Sequence, residues 1–318
     1  MSDLHRIAVL GAGVLGGQIA WHSAFKGKDV VVYDISADAI VRLKAQHEVY
    51  AAIYAGELGA SEEDLAATRS RLTYSTELTS AAVDVDLVVE AVPEIPDVKT
   101  DVYKRLADLL PEHTLVVTNS STFLPRDFAD ATGRPDKFCA LHFANLIWLM
   151  NVVEVMGHAG TSVETLTAVT EFAIEIGMVP IPVRKEQNGY ILNSWLVPLL
   201  NAAQTLVTNE VATPEDVDRT FMLNGARFGP MGMLDVIGMK TAVDVLAYWG
   251  DQANDAQMLS NAAYIKERFL DQGHLGLATG SGYYSYPNPS YERDDFLSVP
   301  ELEAVPSIVS LLSADRTS

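Results

Sequence analysis

The stretch "VLGAGVLGGQIA", residues 9–20, carries three glycines in GxGxxG spacing between an apolar run and a helical pattern. In this spacing the first glycine permits a tight turn, the second lets the backbone approach a pyrophosphate, and the third allows strand and helix to pack closely. The N-terminus of the following helix then faces the phosphates. We therefore predict contacts to a dinucleotide from the loop residues Gly11, Gly13, Val14, Leu15 and Gly16.

An acidic residue ends the next predicted strand, "DVVVYD", whose last residue is Asp34. A carboxylate at this place can accept hydrogen bonds from both ribose hydroxyls of the adenosine, and it repels a 2′-phosphate. The combination predicts NAD as the cofactor and disfavours NADP. The alternative is that the glycines only serve a tight turn, but it gives no common reason for the strand, the spacing and the acidic residue.

Strand and helix patterns alternate through roughly the first 185 residues, as in a parallel sheet with helices on both faces. After Asn188 the strand signal almost vanishes and the patterns are helical. We therefore predict an α/β protein with a Rossmann-like, doubly wound, mostly parallel sheet, followed by a smaller all-α helical dimerisation domain. The predicted bounds are residues 1–186 for the NAD-binding domain, 187–288 for the helical domain and 289–318 for a poorly ordered tail.

Local signals mark where several helices begin. One helix is predicted to start at Ser36, and another at "SEED", where Ser61 and Asp64 have capping-box spacing. Thr213 followed by Pro214 gives a cap and a first-turn proline. The helix in "GYILNSWLVPLLNAAQTLV" is apolar around too much of its circumference for one small bundle to cover, which predicts a homodimer.

Charge and cysteine content restrict the kinds of partner. A formal net charge of −20 argues against binding to nucleic acid or to an anionic membrane, because both need clustered Lys and Arg. No apolar run reaches the length that spans a bilayer. The single cysteine, Cys139, rules out an internal disulfide, and residues 1–13 lack the features of a signal peptide. These features predict a cytoplasmic protein whose partner is a small molecule.

A second stretch, "LHFANLIWLMNVVEV" at residues 141–155, places His142, Asn145 and Glu154 among apolar side chains. Burying such groups without partners is costly, so they either satisfy one another or await a ligand. His142 ends one predicted strand and Glu154 lies on the next, so adjacent strands could join them. A carboxylate on one ring nitrogen fixes the tautomer and leaves the other nitrogen to exchange a proton, as alcohol oxidation requires. This segment alone leaves a purely structural pair open.

Two further polar residues lie where a ligand could reach them. Ser121, in "VTNSSTF", follows a predicted strand at the edge where doubly wound sheets bind ligands, and its hydroxyl could hold substrate or cap a helix in "FLPRDFAD". Asn193 lies in the apolar helix "GYILNSWLVPLL", either as a ligand contact in the cleft between domains or as a satisfied core residue. The histidines have no metal-ligand spacing, and we predict no metal.

Taken together, the chain resembles the 3-hydroxyacyl-CoA dehydrogenase family over nearly its whole length, from "GAGVLGGQIA" to "GLATGSGYYSY". The family's "HFFNP…VE" segment is similar to residues 142–145 with Glu154. Its serine motif is similar to residues 119–121, and its interdomain helix to residues 189–193. The resemblance implies hydride transfer between an alcohol and NAD.

The resemblance also implies roles for individual residues. His142 is implied as the base, with Glu154 as its partner, and the substrate is implied to be oriented by Ser121, Asn145 and Asn193. The cofactor site is implied to include Glu94 and Lys99, at the nicotinamide half of NAD, and Asn119. The C-terminal helices resemble the part through which the family dimerises.

The chain departs from the family at several positions around the expected acyl pocket. Leu146 stands where the family usually has proline, and Ile147 and the bulky Trp148 follow it. Asn188 replaces a proline and Ser194 replaces an arginine. The helical segment "GELGASEEDLAAT" is acidic, whereas members that bind coenzyme A have lysines in this region. These departures resemble the diketoreductase-like branch, which reduces β-keto or β,δ-diketo esters with NADH.

The sequence therefore predicts an NAD-dependent oxidoreductase that interconverts a 3-hydroxyacyl compound and its 3-oxo form. One alternative is a sugar-acid or carnitine 3-dehydrogenase of the same superfamily, whose pocket would need a charged partner where this chain has Leu146, Ile147, Trp148 and Leu149. Another alternative is a non-catalytic NAD-binding protein, which would have no use for His142 with Glu154. The acyl chain length, a thioester as against a free ester, the stereochemistry and the physiological direction are not determined by the sequence.

Overall fold

The structure, a computed structural model, describes residues 4–299. It contains two compact units, which divide between Ser194 and Trp195. This division falls a few residues beyond the boundary predicted after residue 186. Each unit has its own apolar core, and each is described by itself below.

The first unit contains an eight-stranded sheet in the order β3-β2-β1-β4-β5-β6-β7-β8. Its strands are β1 (Arg6–Leu10), β2 (Asp29–Tyr33), β3 (Leu72–Ser75), β4 (Leu87–Glu90), β5 (Leu115–Thr118), β6 (Phe138–Phe143), β7 (Val152–Met156) and β8 (Val179–Pro182). Neighbouring strands run parallel, except that β6 and β7 pair antiparallel. The predicted mostly parallel, doubly wound sheet is confirmed. Its order reverses between β1 and β4, beside the glycine loop that follows β1.

Helices cover this sheet and make up most of the second unit. Those of the first unit are α1 (Val14–Phe25), α2 (Ala37–Leu58), α3 (Glu62–Ser70), α4 (Leu78–Ala81), α5 (Pro96–Ala107) and α6 (Val163–Glu175). They are followed by α7 (Leu192–Thr208), α8 (Pro214–Met222), α9 (Pro230–Ile237), α10 (Met239–Ala253) and α11 (Ala256–Arg268). The predicted caps are present: Ser36 caps α2, Ser61 and Asp64 form a capping box on α3, and Thr213 caps α8.

The central strands are buried on both faces, which explains why they read as continuous apolar runs. In β1, Ile7 and Val9 belong to one apolar cluster, and Ala8 and Leu10 belong to another. Successive side chains of a strand point to opposite faces, so the two clusters are the two sides of the sheet. The layers of helix, sheet and helix follow from this pattern.

One predicted helix of the second unit is two helices. The pattern "MLDVIGMKTAVDVLAYW" predicts continuous helix, but the chain breaks it at Gly238, between α9 and α10. Gly238 has a φ of +91°, a backbone conformation outside the right-handed helix that glycine adopts readily. The apolar periodicity continues across the break, so it gave no sign of the interruption.

Two buried carboxyl groups hold the end of the described chain against α9. Asp218 accepts hydrogen bonds from the N–H groups of Met231 and Gly232, and Asp235 accepts them from those of Tyr283 and Tyr284. Burial raises the pKa of Asp235 to about 6. Each carboxyl group thereby replaces water with backbone donors. The "GLATGSGYYSY" segment is fixed to the helical core in this way.

The start of the predicted tail differs from the prediction of poor order. Tyr291 and Phe296 are buried in the core of the second unit, and the guanidinium of Arg219 lies 4.6 Å above the Phe296 ring. The burial of two aromatic rings outweighs the Pro, Ser and charged residues that suggested disorder. The rest of the predicted tail, residues 300–318, lies outside the described residues.

Two buried histidines of the first unit have a structural role, because both nitrogens of each ring bond to groups within the fold. The His22 ring bonds the Tyr54 hydroxyl and the carbonyl oxygen of Ile176, and the His47 ring bonds the Tyr74 hydroxyl. The second nitrogen of His47 bonds the Gly17 carbonyl oxygen. Burial lowers the pKa of each histidine from 6.5 to about 4, so both rings are neutral at pH 7.

These histidines predict a pH dependence of stability. Below pH 6.5 the unfolded chain binds protons that the folded chain does not, so each histidine lowers the free energy of unfolding by up to about 1.4 kcal/mol per pH unit toward pH 4. His47→Gln should therefore lose less stability than the wild type between pH 7 and pH 5 in urea titrations. Asp235 contributes in the opposite sense but equally in both proteins. Parallel pH profiles would contradict the assignment.

Candidate active site

The glycine loop between β1 and α1 has the backbone geometry that a pyrophosphate needs. Gly11 has a φ of +110°, and a Cβ there would lie 2.4 Å from the carbonyl oxygen of Ala91. A Cβ on Gly16 would lie 2.1 Å from the Gly11 carbonyl oxygen, whereas one on Gly13 would meet nothing within 4 Å. Gly13 is also the N-cap of α1 and provides no side-chain cap. The first N–H groups of α1 are therefore available to an anion.

Asp34 lies directly beside this loop. Its Oδ2 accepts a hydrogen bond from the N–H of Ala12 at 2.8 Å, and its Oδ1 accepts one from the N–H of Ser36 at 2.8 Å. The two bonds fix the carboxylate while leaving it half-exposed. Each oxygen retains a further lone pair for a ribose hydroxyl. Val14 and Leu15 begin α1 at the same place, so the predicted adenosine and pyrophosphate contacts lie together.

The structure shows Lys99 in a buried charged cluster. Its side chain is 1% exposed, and its Nζ lies 2.7 Å from Oε1 of Glu90 and 3.0 Å from Oε2 of Glu94. Glu94 in turn accepts hydrogen bonds from the Ser120 hydroxyl and from the N–H of Thr122. Glu94 thus joins the loops after β4 and β5, and the ion pair with the buried Lys99 holds its carboxylate in place.

Glu90 was not among the residues predicted for the site. It is the last residue of β4, it is fully buried, and its Oε2 accepts hydrogen bonds from Tyr103 and Thr118. The one signal in the sequence is an acidic residue at the end of the apolar strand "LVVE". A buried carboxylate is expensive without a cation, so Glu90 accounts for the burial of Lys99.

His142 and Glu154 face each other across the antiparallel pair β6 and β7. The distance from Nδ1 of His142 to Oε2 of Glu154 is 2.8 Å, and both side chains are buried. The other oxygen of Glu154 accepts hydrogen bonds from the N–H groups of Ile191 and Leu192 at 2.7 and 2.9 Å. Burial alone raises the pKa of Glu154, but the bonds from His142 and the two amides outweigh it and lower the pKa.

Ser121 completes a line of three side chains. Its Oγ lies 2.9 Å from Nε2 of His142. With Nδ1–H donated to Glu154, a neutral His142 accepts from the Ser121 hydroxyl at Nε2. The alternative role as a helix cap does not occur, because the following turn is a 3-10 helix, Pro125–Asp127, and Ser120 accepts the local amide bonds instead.

The three predicted asparagines lie around this line of side chains. Asn119 is buried, and its Oδ1 accepts a hydrogen bond from the N–H of Phe143 at the end of β6. Asn145 lies in the turn after β6, and Asn193 lies in the first turn of α7; both are half-buried. Among residues 4–299 neither of these two amides has a hydrogen-bond partner. The two are therefore free to bind a ligand, which is the prediction for them.

Tyr190 contacts the dyad and was not predicted. Its ring stacks on the His142 ring, with centroids 4.6 Å apart and planes inclined by 27°. Its φ of +55° turns the chain so that the next two amides reach Glu154. The Tyr190 hydroxyl is buried without a hydrogen-bond partner in the described part of the chain. No periodicity or motif in the sequence indicates the stack.

Other classes of site are not found in the part of the chain that the structure describes. Residues 4–299 contain no group of three or more His, Cys, Asp or Glu side chains that could hold a metal ion. Over the same range, no helix is long and apolar enough to cross a bilayer. The polar chemistry is concentrated along the ends of β1, β2, β4, β5 and β6.

An uncapped helix after a glycine loop, a carboxylate beside that loop, and a buried imidazole bonded to a carboxylate on one nitrogen and to a hydroxyl on the other are the features of an NAD-dependent oxidoreductase that acts on CH–OH groups. A family model described as 3-hydroxyacyl-CoA dehydrogenase, NAD binding domain, matches residues 6–187. A second, described as 3-hydroxyacyl-CoA dehydrogenase, C-terminal domain, matches residues 189–286. The chain belongs to the 3-hydroxyacyl-CoA dehydrogenase family, as its motifs predicted.

Individual relatives agree with this membership. The mitochondrial hydroxyacyl-coenzyme A dehydrogenase of Sus scrofa is 32% identical over 286 residues, which cover 88% of this chain and 90% of the relative. A solved diketoreductase structure, described by its catalysis of dicarbonyl compounds, is 46% identical with a TM-score of 0.81 and covers 90% of this chain and 100% of that one. The (S)-3-hydroxybutyryl-CoA dehydrogenase of Ralstonia eutropha is 28% identical, with a TM-score of 0.75 over 90% and 100% of the two chains.

Two substitutions of Tyr190 distinguish the contribution of its ring from that of its hydroxyl. Tyr190→Phe keeps the stack on His142 and removes an unpartnered buried hydroxyl, so stability should stay equal or rise by about 1 kcal/mol with kcat unchanged. Tyr190→Ala removes the ring that confines the imidazole, and kcat should fall by about tenfold or more. Chemical denaturation and steady-state kinetics measure both variants. Equal kcat in Tyr190→Ala would show that the ring has no part in orienting His142.

Proposed function

We propose that His142 is the general acid and base of the reaction and that Glu154 holds its orientation and compensates its charge. The observation that carries this proposal is the geometry of one imidazole, with Nδ1 bonded to a buried carboxylate and Nε2 to the Ser121 hydroxyl. NAD, when bound, supplies the hydride acceptor for oxidation and, as NADH, the hydride donor for reduction. The chain must then move only the hydroxyl proton of the substrate.

Each side chain of the site has a defined part in that proton transfer. In oxidation Nε2 of His142 accepts the proton of the substrate hydroxyl, and in reduction it returns the proton to the carbonyl oxygen. Glu154, kept ionised by its bonds to Ile191 and Leu192, stabilises the charged imidazole. Ser121, Asn145 and Asn193 supply hydrogen bonds that orient the reacting oxygen and the acyl carbonyl.

Substitutions of the dyad test this mechanism. His142→Gln should lower kcat by about 10²- to 10⁴-fold, the scale for a positioned proton donor, with the affinity for NADH nearly unchanged. Glu154→Gln should lower kcat to a similar extent, because a neutral amide cannot compensate the charge of the imidazolium. Steady-state kinetics and NADH fluorescence titration give the two quantities. Turnover at the wild-type rate in His142→Gln would leave the dyad a structural pair.

We also propose that the substrate is a 3-oxo or 3-hydroxy compound without coenzyme A, such as a β-keto ester. Residues 56–67 carry Glu57, Glu62, Glu63 and Asp64 and no lysine, so they repel the phosphates of coenzyme A. Arg69, the first cation after this segment in the sequence, already has two partners: its Nη2 lies 2.9 Å from Glu48 and its Nη1 3.0 Å from Glu62. The similarity to the diketoreductase structure supports the same substrate class.

Arg71 offers no better handle for a phosphate. Its Nη1 donates to the carbonyl oxygen of Ala24 at 3.3 Å, and its own carbonyl oxygen accepts from the N–H of Val30. Arg69 and Arg71 thus each already have partners within the fold.

A comparison of two substrates tests this part of the proposal. With NADH, kcat/KM for ethyl acetoacetate should equal or exceed that for acetoacetyl-CoA, and Arg69→Gln should change neither by more than about threefold, the effect of losing an exposed ion pair. The kcat/KM values for both substrates should be nearly independent of salt concentration. A hundredfold preference for acetoacetyl-CoA that declines as salt rises would demonstrate a basic coenzyme A site.

We further propose that the protein is a homodimer joined through its helical unit. Its cytoplasmic location remains a prediction. The exposed positions of α7 are apolar at helical spacing, namely Trp195, Pro198, Ala202 and Leu206. Trp195 is 53% and Leu206 40% exposed, which leaves an apolar stripe on one side of the helix. A second copy of the chain is the partner that fits such a stripe.

Light scattering at micromolar concentration should therefore give twice the mass of the chain. Leu206→Glu, which puts a charge in the stripe, should shift the protein to a monomer. Leu223→Glu is the matched control, because Leu223 is 74% exposed and lies outside α7. A monomeric wild type, or equal effects of both substitutions, would contradict the proposed interface.

A further inference from the structure

The loop between the dyad strands β6 and β7 has an unusual backbone at Leu146. Leu146 is not a glycine, yet its φ is +59°, in the left-handed region that side chains disfavour. Its N–H donates to Oε1 of Gln18 at 2.8 Å. Such strain persists only where surrounding contacts hold it, so the contacts of this loop indicate what it is held for.

Gln18 is the acceptor for two successive amides of the loop. Its Oε1 also accepts from the N–H of Ile147 at 3.3 Å, and its side chain is almost fully buried. Gln18 lies on α1, two residues beyond Gly16, the last glycine of the GxGxxG motif. One carbonyl oxygen therefore joins the helix of the cofactor loop to the loop that follows His142.

The next two loop residues are anchored as well. Ile147 is fully buried in the core of the first unit. The Trp148 ring lies 5.6 Å from the Tyr50 ring and 6.0 Å from the Tyr54 ring, both on α2. Three consecutive residues, Leu146 to Trp148, are thus fixed to α1 and α2.

These anchors determine where Asn145 lies. On one side Asn119 fixes the N–H of Phe143, and on the other Gln18 fixes the N–H of Leu146. Asn145 is held between these two points, three residues after His142, with its amide half-buried and without a hydrogen bond to any of residues 4–299. The loop therefore fixes the backbone on both sides of Asn145, while Ile147 is buried and Trp148 packs against α2.

We propose that Gln18 is a positioning residue that sets the affinity for the substrate by holding this loop, and through it Asn145, in place. The inference rests on the proposed function, because it assigns Asn145 to the substrate. Proline at position 146 would have no N–H and could not adopt a positive φ. The loop of this chain depends on the Leu146 amide that Gln18 holds.

Two matched variants of Leu146 separate the backbone bond from the side chain. Leu146→Gly keeps the N–H and accepts the positive φ, so KM for ethyl acetoacetate should stay within about threefold. Leu146→Pro removes both the N–H and the positive φ. The KM for ethyl acetoacetate should then rise by about tenfold, the scale of one lost hydrogen bond, while the KM for NADH stays unchanged. Gln18→Met, of similar volume without an acceptor, loses this bond and the longer one from Ile147, so KM should rise at least as much as in Leu146→Pro. The double variant should be no worse than Gln18→Met, because Gln18→Met already lacks both bonds.

Hydrogen exchange gives a readout that does not depend on activity. Peptides covering residues 144–150 should lose protection in Gln18→Met and Leu146→Pro and keep it in Leu146→Gly, with thermal unfolding of all variants close to the wild type. Unchanged KM in Gln18→Met and Leu146→Pro, despite lost protection, would overturn the proposal. So would additive effects in the double variant. A wild type that does not reduce ethyl acetoacetate would instead refute the substrate class, while the exchange data would still decide whether Gln18 holds the loop.

Discussion

The antiparallel pairing of β6 with β7 places a carboxylate opposite an imidazole inside an apolar layer, and the rest of the site is arranged around that pair. In the register of these strands His142 is the direct partner of Glu154. A slip of one residue would turn either side chain to the other face of the sheet, so the hydrophobic pattern of both strands protects the contact. The reversal of direction after β6 matters because it lets a short loop bring Glu154 back beside His142. Asn145 lies in that same loop.

Burial makes every polar group of the site depend on a partner. Glu154 has His142 on one oxygen and two backbone amides on the other, and these bonds keep it ionised in a place where burial alone would favour its neutral form. The buried carboxylate of Glu90 is likewise paired, in this case with the ammonium group of Lys99. The low dielectric that makes such groups expensive when unpaired also strengthens their attraction when they are paired. The dyad is therefore held by several bonds, whereas the amides of Asn145 and Asn193 are half-buried.

The sequence was sufficient for features that depend on local pattern. Period-two and period-3.6 patterns predicted the sheet and its helices, the glycine spacing predicted the cofactor loop, and polar residues in an apolar run drew attention to His142 and Glu154. Contacts between distant segments left no such signal. Gln18 reaches the Leu146 amide across more than a hundred residues, and Tyr190 stacks on His142 from a third segment. The break at Gly238 was missed because the apolar periodicity continues across it. The buried Tyr291 was missed because composition does not reveal which aromatic rings pack in a core.

The central claim is that Glu154 fixes the tautomer of His142 so that Nε2 is free to exchange the substrate proton. Nitrogen-15 NMR of histidine-labelled protein measures this directly, because protonated and unprotonated ring nitrogens have well-separated shifts. In its neutral form His142, assigned by its loss in His142→Gln, should show a protonated Nδ1 and an unprotonated Nε2. In Glu154→Gln this preference should weaken. A neutral His142 with its proton on Nε2 in the wild type would contradict the account, since that nitrogen could not then accept a proton from an alcohol.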